Sequence, residues 1–207
     1  MANGMREFKK DAESFNLGEL PPILQERVRD TLSAVADHSR AVLDFSLKLA
    51  DELGLPESKR ETVAWAALLH DTGKVKVPGD LLFKVGRPTE EELRIYMSHV
   101  DVAQELEGVV PPEVVKAIVH HGDRWDGVGS PMGKSGPAIP LAARVIAVAD
   151  VYASARYPDF KPSTTGLTPD PREILSRLRG TKLDPSIVDA ALKMIEADGA
   201  PGPEGKR

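Results

Sequence analysis

The chain has 207 residues, with 27 Lys and Arg against 32 Asp and Glu, a formal charge of −5. Its 41% hydrophobic and 29% charged residues are the balance of a globular domain large enough to build its own core, which excludes a disordered tail or a metal-stapled miniprotein. There is no cysteine, so disulfides, thiolate zinc sites, iron–sulfur clusters and cysteine nucleophiles are excluded, and a transition metal must be held by His, Asp or Glu.

Met1–Lys10 is polar and carries no apolar stretch of the signal-peptide kind. Residues 1–22 are read as an N-terminal extension. From Ile23 to Leu53 apolar residues recur at helical spacing (Leu24, Val28, Leu32, Val35, then Val42, Leu43, Leu47, Ala50), and Gly54 is the stop. Pro56 opens a second helix that runs through Trp65 and Leu69 to His70. Within it, Ala64–Leu69 is the longest strongly apolar run and is too short to span a bilayer, so a soluble cytoplasmic protein without a membrane segment is expected. Thr89 and Glu92 form a capping box for a helix through Tyr96 and His99 toward Leu106. Pro111 and Pro112 start another that ends near His121. Gly122–Pro140 is rich in Gly and Pro and predicts a structured, turn-rich loop. Leu141–Ala155 is apolar almost all round, the pattern of a buried helix. Pro158–Pro171 is irregular; two helices follow at Pro171–Leu178 and Pro185–Ala197, and 198–207 is expected to be a disordered tail. No segment alternates with β period. The expected fold is therefore all-α, one helical bundle over residues 23–197.

The chain has five histidines, His38, His70, His99, His120 and His121, and two carboxylates stand out with them, Asp71 and Asp150. All lie within or at the ends of helices of the buried type. A lone buried carboxylate is costly unless it is paired or bound to a metal. For one such His the ordinary reading is a hydrogen-bonded core group. For a set spread over five helices, one polar cluster in the bundle centre accounts for all of them at once. Imidazole and carboxylate without sulfur suit iron, manganese, zinc or nickel. The donors exceed the needs of one ion, so a pair of ions bridged by a carboxylate fits better, with Asp71 as the natural bridge. The net acidity counts against DNA as a partner, while a small anionic substrate stays admissible because bound cations reverse the local field.

His70-Asp71-Thr72-Gly73-Lys74, with His38 before it and His99, His120-His121 and Asp150 after it, resembles the HD phosphohydrolase superfamily. More closely, it resembles the HD-GYP branch. The flanking text is similar too: Leu68–Pro78, Trp125–Pro131 and Ile139–Asp150, the likeness extending over roughly Arg27–Ile195. The resemblance implies an all-α metal-dependent phosphodiesterase, two or three divalent ions, and cyclic di-GMP as substrate. Iron or manganese come first, with zinc, nickel or magnesium as alternatives. It implies His38, His70, Asp71, His99, His120, His121 and Asp150 as metal ligands, Asp71 bridging and catalytic, and Lys74 contacting the substrate phosphate. Two cations about 3.5–4 Å apart would lower the pKa of a bridging water and supply hydroxide at neutral pH.

This sequence departs from the family pattern at four places. Ala34 stands where three-metal members carry Glu, so two ions are expected. Gly129-Ser130-Pro131 replaces Gly-Tyr-Pro, and that loop is a candidate protein contact. His120-His121-Gly122-Asp123 stands for His-His-Glu with one residue added, and Arg156-Tyr157-Pro158 for Arg-Pro-Tyr. Arg124, Lys134, Arg144 and Lys161 are further candidate phosphate contacts, each weighed against an ordinary surface charge. Trp125 reads equally as a purine stack or a loop buttress, and Trp65 as core. Alternatives to a cyclic di-GMP phosphodiesterase are an HD phosphohydrolase of another nucleotide and a non-catalytic module that binds a nucleotide or a partner.

Overall fold

The structure is a computed structural model that describes residues 38–78, 81, 89–156 and 170–197. The expectations for the N-terminal extension, the start of the first helix, Ala34, residues 157–169 and the tail fall outside the described residues.

Helix α1 covers residues 38–52 and ends as the sequence implies. Gly54 sits at φ +64, and the amides of Gly54 and Leu55 return to the carbonyls of Asp51 and Ala50, a Schellman end that a residue with a Cβ would strain. Helix α2 (Glu57–Leu69) starts at Pro56 and buries every residue from Val63 to Leu69. Helix α3 (Glu90–Met97) carries the expected capping box, with the Thr89 hydroxyl accepting from the Glu92 amide and the Glu92 carboxylate accepting from the Thr89 amide. Helices α4 (Pro112–His120), α5 (Leu141–Arg156), α6 (Pro171–Leu178) and α7 (Pro185–Ala197) follow. The described residues contain no strand, and the fold is all-α.

The expected helix from Thr89 to Leu106 is not one α-helix. Beyond Met97 the chain tightens into a 3-10 segment, Ser98–Leu106. The Ser98 hydroxyl donates to the Ile95 carbonyl and His99 Nδ1 to that of Tyr96, both at 2.7 Å, so side chains take carbonyls that the next α-turn would have used. Val100, Ala103 and Leu106 are buried, three residues apart, matching the period of a 3-10 helix.

Helix α5 is the axis of the bundle. Ten of its residues, from Ala142 to Ala155, are buried, and α2, α4, α6 and α7 all pack on it. Phe45 of α1 stacks on Tyr152 of α5 with ring centroids 3.8 Å apart. The Gly122–Pro140 connection is ordered, as its composition implies: the Trp125 and Asp126 amides donate to the Lys182 and Thr181 carbonyls between α6 and α7.

Arg144 of α5 ties that helix to the start of α7. Its guanidinium donates to Asp184 Oδ2 at 2.6 Å and to the Ile139 carbonyl at 3.0 Å, and lies 5.8 Å from the centre of the Trp125 ring. Asp184 is buried and also caps α7 through the Ser186 amide and hydroxyl. Burial raises the Asp184 pKa, but the Ser186 and Arg144 hydrogen bonds outweigh it and hold the carboxyl below its ordinary value. The stabilisation is therefore complete above the unfolded pKa of about 3.9 and lost as pH falls through the folded value. Asp184→Asn is expected to cost about 2 kcal/mol at pH 7. Thermal denaturation from pH 7 downward should show the wild-type and variant curves converging below about pH 4; curves that stay parallel would assign the loss to another group.

Candidate metal centre

The side chains that the sequence separates by more than a hundred positions meet at one end of this core. His38 comes from α1, His70 ends α2 with Asp71 next to it, His99 lies in the 3-10 segment, His121 ends α4, and Asp150 is in α5. They form two triads, His38–His70–Asp150 and Asp71–His99–His121, and within each the potential ligand atoms lie within 4.8 Å of one another. Asp71 joins the triads. Its Oδ2 lies 3.3 Å from His70 Nε2 and 3.9 Å from His38 Nε2, while its Oδ1 lies 3.7 Å from His99 Nε2. The His70 and His121 ring centroids are 5.2 Å apart and those of His99 and His121 5.4 Å.

The orientation of the rings is fixed from behind. His70, His99 and His121 each donate from Nδ1, at 2.7 Å, to the carbonyl three residues earlier: Ala67, Tyr96 and Ile118. A Nδ1–H so held leaves Nε2 as a lone pair aimed into the cluster. Nε2 of His99 is buried and has no hydrogen-bond partner among the described residues, and that of His70 has only the Asp71 carboxylate beside it, at 3.3 Å. An unpartnered buried imidazole nitrogen is costly, and a cation is the partner that fits a lone pair facing a carboxylate. The residues present therefore suit divalent first-row ions, on nitrogen and oxygen ligands alone.

Charge within the cluster follows from burial and from Asp71. Desolvation opposes ionisation of Asp71, yet His70 and Lys74 together hold its pKa well below the carboxylate range. Desolvation lowers His99, and it pushes His121 down to about 3 with help from His70. Both rings are thus neutral at pH 7, the form that ligates. For His70, desolvation is outweighed by Asp71 and Asp150, and its pKa is raised.

Lys74 is buried and its Nζ is ion-paired with Asp71 Oδ2. The pair is made possible by the 3-10 turn Thr72–Lys76, which sets Lys74 three residues on from Asp71. Tyr96, which sequence reasoning passed over as a helix residue, lines the same place: its ring is 5.7 Å from His99 and 5.5 Å from Lys74 Nζ. Gly73, in sequence only a part of the motif, has a packing role here. A Cβ there would overlap the His99 carbonyl oxygen and lie 2.7 Å from the carbonyl carbon.

His120 stands apart from both triads. Adjacent helix residues point about 100° apart, so His120 and His121 cannot face one point alike. Its Nδ1 donates to Asp123 Oδ2 at 2.8 Å. The four loop cations expected at a phosphate are placed as follows. Arg124 makes a bidentate pair with Asp126, at 3.0 and 2.7 Å. Arg144 has its guanidinium engaged by Asp184 and the Ile139 carbonyl and lies beside the Trp125 ring. Lys134 is half-buried, with its backbone held by Asp123 and Ser130. Lys161 lies outside the described residues.

An all-α bundle with two His/Asp triads that could hold metal ions, and one aspartate lying between them, is the arrangement of a helical domain of the HD class. The HD domain family profile matches residues 22–187, and the chain belongs to that family. It is 34% identical over 187 residues to the cyclic di-GMP phosphodiesterase response regulator RpfG of Xanthomonas campestris pv. campestris, an alignment that covers 82% of this chain and 49% of that protein. It is 32% identical over 165 residues to 3'3'-cGAMP-specific phosphodiesterase 2 of Vibrio cholerae, covering 75% of this chain and 30% of the relative. The chain thus spans half or less of the length of these curated relatives. Among solved structures, an HDG"Y"P protein from Bdellovibrio bacteriovorus superposes with a TM-score of 0.63 at 21% identity, over 78% of this chain and 52% of that one, a likeness of fold. No helix among the described residues is long and apolar enough to cross a membrane.

Proposed function

We propose that this chain is a metal-dependent phosphodiesterase that hydrolyses a cyclic dinucleotide, with cyclic di-GMP as the first candidate and two divalent ions, iron or manganese before zinc, nickel or magnesium. The observation that carries the reading is Asp71, whose two oxygens face different His/Asp triads. Relatives named for cyclic di-GMP and for 3'3'-cGAMP support the substrate class.

When bound, a pair of such ions supplies hydroxide at neutral pH and neutralises charge on the phosphate. The protein's own groups do the rest. His38, His70 and Asp150 would hold metal as one group and Asp71, His99 and His121 as the other. His120, outside both triads and held at Nδ1 by Asp123, has Nε2 left over and would serve as an additional ligand. Lys74 is kept cationic by Asp71, which raises its pKa despite burial, and so presents an ammonium to an anion arriving at the same carboxylate. Lys134 and Arg124 are secondary candidates for that anion. The Gly129–Pro131 loop is proposed as a contact for a protein partner.

The test is a substrate panel on metal-loaded protein: cyclic di-GMP, 3'3'-cGAMP and a nucleoside monophosphate, with products separated by chromatography. Release of linear dinucleotide or mononucleotide from a cyclic dinucleotide supports the reading. Cleavage of the monophosphate alone would replace the substrate, and no turnover with any of them would leave a binding module.

A further inference from the structure

We propose that Asp123 is a positioning residue that ties His120 to the 130–134 loop, so that the presentation of His120 depends on the hydrogen bonds that hold that loop. The proposal rests on the reading of His120 as a metal ligand and goes beyond it. Three of the cluster histidines are braced by a backbone carbonyl of their own turn, whereas His120 is braced by a carboxylate. That carboxylate is fully enclosed and accepts hydrogen bonds on both oxygens. Oδ1 accepts from the Ser130 hydroxyl at 2.8 Å and the Met132 amide at 2.7 Å. Oδ2 accepts from His120 Nδ1 at 2.8 Å and the Lys134 amide at 3.3 Å.

Ser130 completes the knot. Its hydroxyl oxygen accepts from the Arg124 amide at 3.0 Å and lies 2.6 Å from the Lys134 carbonyl. A serine at this position is short enough to turn inward to Asp123; a tyrosine would carry its hydroxyl several ångströms further out. Gly129, Pro131 and Met132 of the same loop form one wall of a groove of about 430 Å³ against α3. The loop that borders this groove and the His120 ring thus share one carboxylate. An ionised carboxylate accepts from every side and requires His120 to carry its hydrogen on Nδ1, which leaves Nε2 as the ligating lone pair. An asparagine must turn its NH2 to one side, and four donors cannot then all be satisfied.

The experiment uses the full-length chain with ¹⁵N-labelled histidine, stripped of metal. Long-range ¹H–¹⁵N correlation reports which ring nitrogen carries the hydrogen in each histidine, and cobalt titration reports ligand affinity by its visible spectrum. Asp123→Asn is expected to switch His120 from Nδ1–H to Nε2–H while His70, His99 and His121 keep their tautomers, and to weaken cobalt binding about 10–100-fold. Ser130→Ala, which touches no histidine, is expected to speed amide exchange at Met132 and Lys134 about 10-fold and to shift the His120 signals alone. His120 unchanged in Asp123→Asn, or loop amides freed in Ser130→Ala with His120 unmoved, would overturn the proposal. If wild-type protein takes up no cobalt, the metal reading fails, while the tautomer and exchange data on metal-free protein still decide the coupling.

Discussion

Gly73→Ala is expected to lose metal binding and at least about 100-fold in kcat/KM while the rest of the bundle stays folded. The added methyl would overlap the His99 carbonyl, which packs directly on the turn that follows Asp71. Carbon and carbonyl oxygen need about 3.3 Å even in a close C–H···O contact, so the two segments must separate. Neither can yield cheaply. Thr72–Lys76 is pinned by the Lys74 amide on the Asp71 carbonyl and by the Thr72 hydroxyl on that of Leu69, and His99 is pinned by Tyr96. The separation falls between Asp71 and His99, two members of one triad, and sites of this kind tolerate only about 0.5 Å of misplacement. Overpacking costs about 1–3 kcal/mol, so thermal denaturation should show a lowered Tm with an intact cooperative transition. A variant with normal metal content and turnover would remove Gly73 from the account.

Asp71→Asn is the second large effect, and its sign on stability differs from that of a plain ligand loss. Asp71 is the ionic partner of a buried lysine. Removing the negative charge takes away the Lys74 ammonium's ion-pair partner and leaves the Tyr96 ring at 5.5 Å and the field of Asp150. Breaking one side of a buried pair costs about 3–5 kcal/mol, because the remaining charge is uncompensated. Asp71→Asn should therefore destabilise the metal-free protein by that amount and abolish turnover. Adding Lys74→Met to it should recover most of the stability and none of the activity. Urea denaturation of both variants, read beside a product assay, separates the two roles. Equal stability of the single and double variants would mean that Lys74 is not held by Asp71.

The helix boundaries at Pro171–Leu178 and Pro185–Ala197, the capping box at Thr89 and the buried character of Leu141–Arg156 could be read from proline positions, cap chemistry and all-round apolarity, because these are local signals. The 3-10 segment Ser98–Leu106 was also written locally, as Val100, Ala103 and Leu106 at intervals of three. Its pattern fits an α-helix equally, because apolar residues at i and i+3 serve both periods, and only the competition of Ser98 and His99 for carbonyls tips the balance. The candidate ligands were visible as ionisable groups on apolar helices. Which oxygen of Asp71 faces which triad was not, since it depends on the meeting of five segments.

The same limit explains Asp123 and Gly73. Asp123 reads as a polar loop residue until its four donors converge on it from 120 to 134. Gly73 is not in a left-handed conformation that would mark it; its requirement comes from the backbone of His99, 26 positions further along the chain, and only packing reveals it. Arg144 shows the converse. A cation beside a Gly/Pro-rich loop suits a phosphate, but the buried Asp184 across the bundle takes it as an anchor.

The measurement that bears most directly on the metal centre is anomalous scattering from crystals of the chain grown with manganese, with data on both sides of the absorption edge. Two anomalous peaks about 3.5–4 Å apart, one on each side of Asp71 and each within bonding distance of its triad, are the expected result. Crystals soaked in the metal that show no peak at Asp71, or a single ion on other residues, would contradict it.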